Sequence, residues 1–96
     1  MQAWRRTLDI KTEWAQAQDG EISTYQLAQV AAGKLTSLYP TADADSTSGP
    51  LSELGEIIDR LQELPEDADD DEFNDIWYDL YEWADTGKRL WIATIF

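Results

Sequence analysis

The chain contains no cysteine and no histidine among its 96 residues. Without cysteine there are no disulfides and no thiolate ligands for zinc. Without histidine there are no imidazole ligands, no Ser-His-Asp or Cys-His nucleophiles and no histidine general base. The sequence has no Gly-rich phosphate loop, and in so acidic a chain paired carboxylates are expected by chance. We therefore expect a protein that is not an enzyme and that uses no cofactor or metal ion.

Long apolar runs are also lacking, since none approaches the roughly 18–20 residues of a membrane-spanning helix. Arg5 and Arg6 are followed by Asp9, Lys11 and Glu13, which interrupt what would have to be the apolar part of a signal peptide. The simplest interpretation is a cytoplasmic protein that does not bind membranes.

Positive charge is scarce: seven Lys and Arg oppose twenty Asp and Glu, for a net charge of −13. Such a chain repels nucleic acid and anionic membranes and attracts basic protein surfaces. The expected partner is therefore the basic surface of another protein, for which a nucleic-acid-binding protein would be suitable. Hydrophobic residues, at 43%, are plentiful enough for a core. We expect a single acidic helical domain over residues 1–96 with a radius of gyration of roughly 12–13 Å.

Hydrophobic spacing predicts a first helix from about Ala3 to Gln18. Its core-facing residues would be Trp4, Leu8, Trp14 and Ala15. Ser23 followed by Gln26 is a capping-box pattern that predicts the start of a second helix. Gly33 lies in the middle of that helix, where a close crossing with another helix would explain it. The pair Tyr39-Pro40 should end the helix, because the residue before proline avoids the α region.

Two further helices are predicted in the second half of the chain. Pro50 suits the first turn of the third helix, and the spacing of Leu and Ile continues until Pro65. Asp69 with Glu72, or Asp70 or Asp71 alone, can cap the fourth helix. Gly87 is typical of a helix C-cap. The core side of the fourth helix would consist of Phe73, Ile76, Trp77, Leu80 and Ala84.

The last segment, Leu90–Phe96, is apolar and partly β-branched, which predicts a short strand or an extended tail. A strand needs a partner, which could be the stretch Arg5–Ile10 or the same segment of a second subunit. A fifth short helix is a third alternative. The predicted fold is thus mainly α: a compact bundle of about four helices with a short C-terminal β-strand or extended tail.

The acidic run before the fourth helix resembles a calcium loop only in part. Asp67, Asp69 and Asp71 match the first three ligand positions of an EF-hand. However, Glu72 stands where the loop requires a turn glycine, and Tyr78 stands where it requires a bidentate Glu. Weak cation condensation is a better interpretation than a specific site.

The acidic charge is concentrated: eleven of the twenty acidic residues, and no basic one, lie between Arg60 and Lys88. On a helical wheel of the fourth helix, many of these carboxylates fall opposite the predicted core side. We call this surface the acidic face; it consists of Asp71, Asp75, Tyr78, Asp79, Glu82 and Asp85, and Tyr81 and Trp83 border it. Carboxylates four residues apart are about 6 Å apart along the axis. This is comparable with neighbouring phosphates on nucleic acid, whose axial rise is about 3.4 Å.

The sequence therefore favours a non-enzymatic acidic protein whose acidic face binds the basic surface of a partner, as a nucleic-acid mimic or an immunity-type inhibitor. A solvated face that only keeps the protein soluble is the competing interpretation. A different hypothesis is a small structural or assembly protein that homodimerises through Leu90–Phe96. In size, acidity and lack of catalytic groups the chain resembles small inhibitor, immunity and phage-encoded accessory proteins, a resemblance of type that no motif carries.

Overall fold

The computed structural model describes residues 6–43 and 49–94. Four α-helices and two short strands lie within these ranges, which confirms the mainly α fold and the short C-terminal strand. In chain order the elements are β1 (Thr7–Asp9), α1 (Lys11–Gln18), α2 (Thr24–Leu38), α3 (Pro50–Gln62), α4 (Asp70–Asp85), a 3-10 turn (Thr86–Lys88) and β2 (Trp91–Ala93).

The prediction of one helix over residues 3–18 was wrong at its start. Thr7–Asp9 forms a strand, and the helix begins only at Lys11. The physical reason is a two-residue alternation: Leu8 and Ile10 are fully buried, whereas the residues between and before them are exposed. Trp4, which was placed on the helical stripe, lies outside the described residues.

The two strands pair in parallel and join the two ends of the chain. Thr7 lies opposite Trp91, and Leu8 lies opposite Ile92. The N–H of Trp91 donates to the carbonyl of Arg6 at 2.8 Å, and the N–H of Ile10 donates to the carbonyl of Ala93 at 3.1 Å. Of the alternatives for the C-terminal segment, the structure therefore has the strand paired with the N-terminal stretch.

The second helix begins as its capping box predicted. The N–H of Gln26 donates to Ser23 Oγ at 3.1 Å, and the N–H of Ser23 donates to Gln26 Oε1 at 2.8 Å. The helix ends at Leu38, just before Tyr39-Pro40. The close crossing expected at Gly33 is absent from the described part of the chain, where no atom lies within 4 Å of the position of a Cβ. Gly33 instead faces outwards.

The other helix boundaries also follow local chemistry. Pro50 is the first residue of α3. The Asp69 carboxylate accepts from the N–H of Glu72 at 2.9 Å, and the Glu72 carboxylate accepts from the N–H of Asp69 at 3.1 Å. After α4 the chain reverses through Gly87, whose φ of 66° lies in the left-handed region that favours glycine.

The core is a single cluster of buried side chains to which β1, the helices α2, α3 and α4, and Leu90 just before β2 contribute, and Ile92 of β2 packs against it half-buried. Its largest fully buried members are Leu8, Ile10, Leu35, Leu54, Leu61, Leu80 and Leu90. Helix α1 has no fully buried residue of its own and instead packs Trp14 and Ala17 against this cluster. The radius of gyration is 13.0 Å, as expected for a chain of this length.

Candidate protein-binding surface

Helix α4 separates an apolar side from an acidic side. All five residues predicted for its core side are buried, and Trp83 is buried with them. Because the buried positions take up one side of the helix, the remaining positions must face solvent or the edges of neighbouring helices. Helix α4 therefore carries the acidic face on one side, while its other side packs into the core from Phe73 to Ala84.

Most of the acidic face is open to solvent. Asp71, Asp75, Glu82 and Asp85 are all exposed. Tyr78, in the middle of these carboxylates, has 64% of its surface exposed. Within residues 6–43 and 49–94, none of these four carboxylates forms a salt bridge. They therefore retain their full capacity to accept hydrogen bonds from a cationic partner.

Asp79 differs from the other members of the acidic face. Its side chain is only 46% exposed, and its Oδ2 lies 2.5 Å from Nη1 of Arg60 on α3. The prediction treated Asp79 as part of an open surface, but the structure places it at the edge of that surface. Nothing in the spacing along α4 could indicate this pairing, because it depends on how α3 packs beside α4.

A groove of about 490 Å³ runs between α3 and α4 next to this ion pair. Four carboxylates line it, and the guanidinium groups of Arg60 and Arg89 share it with them. The carboxylates belong to Glu53, Glu56, Asp79 and Glu82. The guanidinium of Arg89 is also 5.6 Å from the ring of Trp83, which lines the groove as well. The acidic surface thus extends beyond α4 onto α3.

The other described ion pairs lie away from the acidic face. Lys34 pairs with Glu13 at 3.3 Å, and Lys11 lies 3.9 Å from Asp9. Of the salt bridges within the described ranges, only that of Arg60 involves the acidic face. Most of this surface therefore has no salt bridge with the part of the chain that the structure describes.

Trp83 was expected to border the acidic face, but it belongs to the core. It is buried, and its indole N–H donates to the carbonyl of Pro50 at 2.8 Å. Its ring also meets that of Tyr39 edge-on, with centroids 5.5 Å apart. Tyr81, by contrast, is 43% exposed and does border the face.

A second feature, which the sequence did not reveal, is a pocket of about 280 Å³ where α1, α2 and α4 meet. Its walls include the rings of Trp14 and Phe73, and its rim includes Thr24, Asp70 and Asn74. The contributing segments are far apart in the chain, and no spacing within any one of them signals a pocket.

Two residues of the acidic run at the start of α4 form hydrogen bonds within the protein. Asp69 caps α4, and Asp70 accepts from the hydroxyl of Thr24 at 2.8 Å. Within the part of the chain that the structure describes, no three Asp or Glu side chains converge in a way that would hold a metal ion. In the same part of the chain, no helix combines the length and the apolar character needed to span a bilayer.

Comparison with protein-family models, with curated proteins and with solved structures found no match. Function must therefore be inferred from the side chains described above.

Proposed function

We propose that this chain is a non-enzymatic, cytoplasmic binding protein whose acidic face occupies the basic surface of a partner protein. The observation that carries the proposal is a set of four exposed carboxylates that form no salt bridge with any described residue and are grouped around the exposed Tyr78 on one helix. A protein that binds nucleic acid is the partner with the most suitable surface. The chain would then act as a nucleic-acid mimic or an immunity-type inhibitor.

Two physical effects support this function. Carboxylates four residues apart are about 6 Å apart along the axis, so a surface that binds successive phosphates meets charges at a similar density. Binding would displace counterions and would be steered by the net charge of −13. The helix is capped and packed before binding, which lowers the ordering cost of association.

Tyr78 adds an exposed aromatic ring to the carboxylates of the acidic face. An aromatic side chain surrounded by carboxylates can be desolvated at the centre of an interface while the charges form its rim. Tyr81 adds a second exposed ring at the border. Tyr81 also meets the ring of the buried Trp77 edge-on, with centroids 6.1 Å apart, so its position has a structural explanation. A face that served only for solubility would not need an aromatic ring at the exposed position of Tyr78.

The test uses proteins that have been retained on a DNA column and are then passed over the immobilised chain. At low salt we expect retention, followed by release on addition of free duplex DNA or at high salt. A variant with Asp75→Lys and Glu82→Lys should retain almost nothing. This pair leaves the Arg60–Asp79 contact intact, whereas a reversal at Asp79 would set a lysine against Arg60.

The matched control carries Asp59→Lys on α3 and Glu63→Lys at the C-cap of that helix, two exposed positions outside the acidic face. It changes the net charge by the same amount and should retain proteins nearly as well as the unmodified chain. If the two double variants behave alike, only total charge matters and the acidic face is not a binding site.

A second candidate function is homodimerisation through the C-terminal segment, as in a small structural or assembly protein. It is favoured by Trp91, which is 50% exposed, and by a cavity of about 240 Å³ that Trp91 shares with Tyr81 and Ile92. Light scattering at increasing concentration should show a dimer that Trp91→Ser converts to a monomer, with Tyr78→Ser as the control. A monomer at all concentrations rejects this function.

A further inference from the structure

The pocket between α1, α2 and α4 combines an aromatic wall with a carboxylate. Trp14 lies 6.0 Å from Phe73 and 5.5 Å from Trp77, centroid to centroid, so its ring is held by two neighbours. Asp70 is exposed at the rim, and among the described residues its one side-chain hydrogen bond is to Oδ1, from the hydroxyl of Thr24. The second carboxylate oxygen can accept hydrogen bonds from a ligand.

The lining of the pocket suits a cation with an apolar or planar body. Within residues 6–43 and 49–94 no basic side chain lines it, so an anionic ligand would meet Asp70 without compensation. The positive end of a helix dipole, about half a charge, is outweighed by the acidic cap and first turn of α4. These carboxylates belong to Asp69, Asp70, Asp71 and Glu72.

The size of the pocket suits a single side chain of another protein as its ligand better than a cofactor. Its volume of about 280 Å³ is just below the range of roughly 300–1,000 Å³ for small-molecule sites. Its position on the protein is also informative, because Asn74 on its rim lies on α4 between Phe73 and the acidic face. A protein bound to the acidic face could therefore place one of its side chains in the pocket.

We propose that this pocket takes an arginine side chain of the partner protein, an inference that rests on the proposed function of the acidic face. A planar guanidinium can stack on the ring of Trp14 while donating to Asp70, and the side-chain oxygens of Asn74 and Gln18 can accept its remaining protons. A lysine ammonium can pair with Asp70 but offers no plane to stack. The pocket therefore makes the surface selective for arginine over lysine.

The experiment compares binding of deca-arginine and deca-lysine to the whole chain by calorimetry. The unmodified chain should bind deca-arginine about five- to tenfold more tightly. Asp70→Asn should reduce this ratio to about twofold or less. This variant should keep the fold, since an amide oxygen can still accept from Thr24. Addition of deca-arginine, but not deca-lysine, should also shift the indole N–H signal of Trp14 in an NMR spectrum.

The matched control is Asp71→Asn, the same chemical change at the next position and on the acidic face. It should weaken both peptides equally and leave their ratio unchanged. If Asp70→Asn does not alter the ratio, or if the signal of Trp14 does not respond, the pocket is not an arginine site. If Asp75→Lys with Glu82→Lys leaves the affinity for both peptides unchanged, the proposed function of the acidic face fails instead.

Discussion

The guanidinium of Arg60 and the carboxylate of Asp79 meet across the groove between α3 and α4, with Nη1 2.5 Å from Oδ2. Both side chains are nearly half exposed, at 44% and 46%. Ion pairs in such surroundings contribute about 0.2–1 kcal/mol to stability. The larger consequence of Arg60 is electrostatic, because it places a positive charge at the edge of the acidic face.

Replacing Arg60 with Gln should therefore strengthen binding of a cationic probe while changing the free energy of unfolding by less than about 1 kcal/mol. Removing one opposing charge should raise the affinity for deca-lysine by about two- to fivefold at low salt, an effect that 0.5 M salt should largely remove. Calorimetry and urea unfolding measure the two quantities. Lys11→Gln, at a position that pairs with Asp9, is the control and should have the smaller effect on affinity.

Tyr39 joins α2 to the segment before β2, and loss of its hydroxyl should destabilise the domain. Its Oη donates to the carbonyl of Arg89 at 2.6 Å, and Arg6 lies over its ring at 4.8 Å. Tyr39→Phe keeps the ring contacts but leaves that carbonyl without this donor, at a cost of about 1–2 kcal/mol. Urea unfolding followed by circular dichroism should show the loss, whereas the exposed Tyr78→Phe should change stability by less than about 0.5 kcal/mol.

The parts of the fold that the sequence predicted well are those specified by neighbouring residues. The capping box at Ser23 needs a partner only three residues away and forms as predicted. At the fourth helix, the structure has the capping box of Asp69 with Glu72, one of the three caps that the sequence allowed. The failure over residues 7–9 has the opposite cause. Leu8 can fit a helical stripe, but its backbone pairs with a strand at the other end of the chain, and the burial of Ile10 beside it follows strand periodicity.

The candidate site likewise has features that could be predicted from neighbouring residues and features that could not. A helical wheel was sufficient to predict that Asp71, Asp75 and Glu82 would be exposed, because the buried side of α4 is clear from its own sequence. The salt bridge of Asp79 and the burial of Trp83 could not be predicted, since both depend on where α3 lies against α4. The arrangement of helices therefore decided which positions at the edges of the face were accessible.

The cap of α4 should act through its hydrogen bond rather than through its charge. Asp69→Ala removes the acceptor for the N–H of Glu72 and should cost about 1 kcal/mol, within the usual range of 0.5–2 kcal/mol. Asp69→Asn keeps an acceptor and should cost less than about 0.5 kcal/mol. Urea unfolding distinguishes these values. Glu66→Ala, an exposed acidic position before the helix, is the control, and a loss equal to that of Asp69→Ala would contradict a specific capping role.

Deleting residues 91–96 should unfold much of the domain rather than simply expose an interface. The deletion removes β2, which is the only described partner of β1, and with it Ile92, which lies opposite the fully buried Leu8 and packs against the core. Burying a Leu of this kind is worth about 2–5 kcal/mol, a large part of the roughly 5–10 kcal/mol expected for the whole domain. Thermal unfolding followed by circular dichroism should show a greatly lowered midpoint.

Trp91→Ser provides the comparison, because it removes an exposed ring and keeps the backbone pairing with Thr7. Its midpoint should stay within a few degrees of that of the unmodified chain. If the deletion abolishes a dimer or a binding activity that Trp91→Ser preserves, that loss results from unfolding of the domain. If the deleted chain instead melts at the same temperature as the full chain, β2 contributes little to the core, and the C-terminal segment is available to a second subunit.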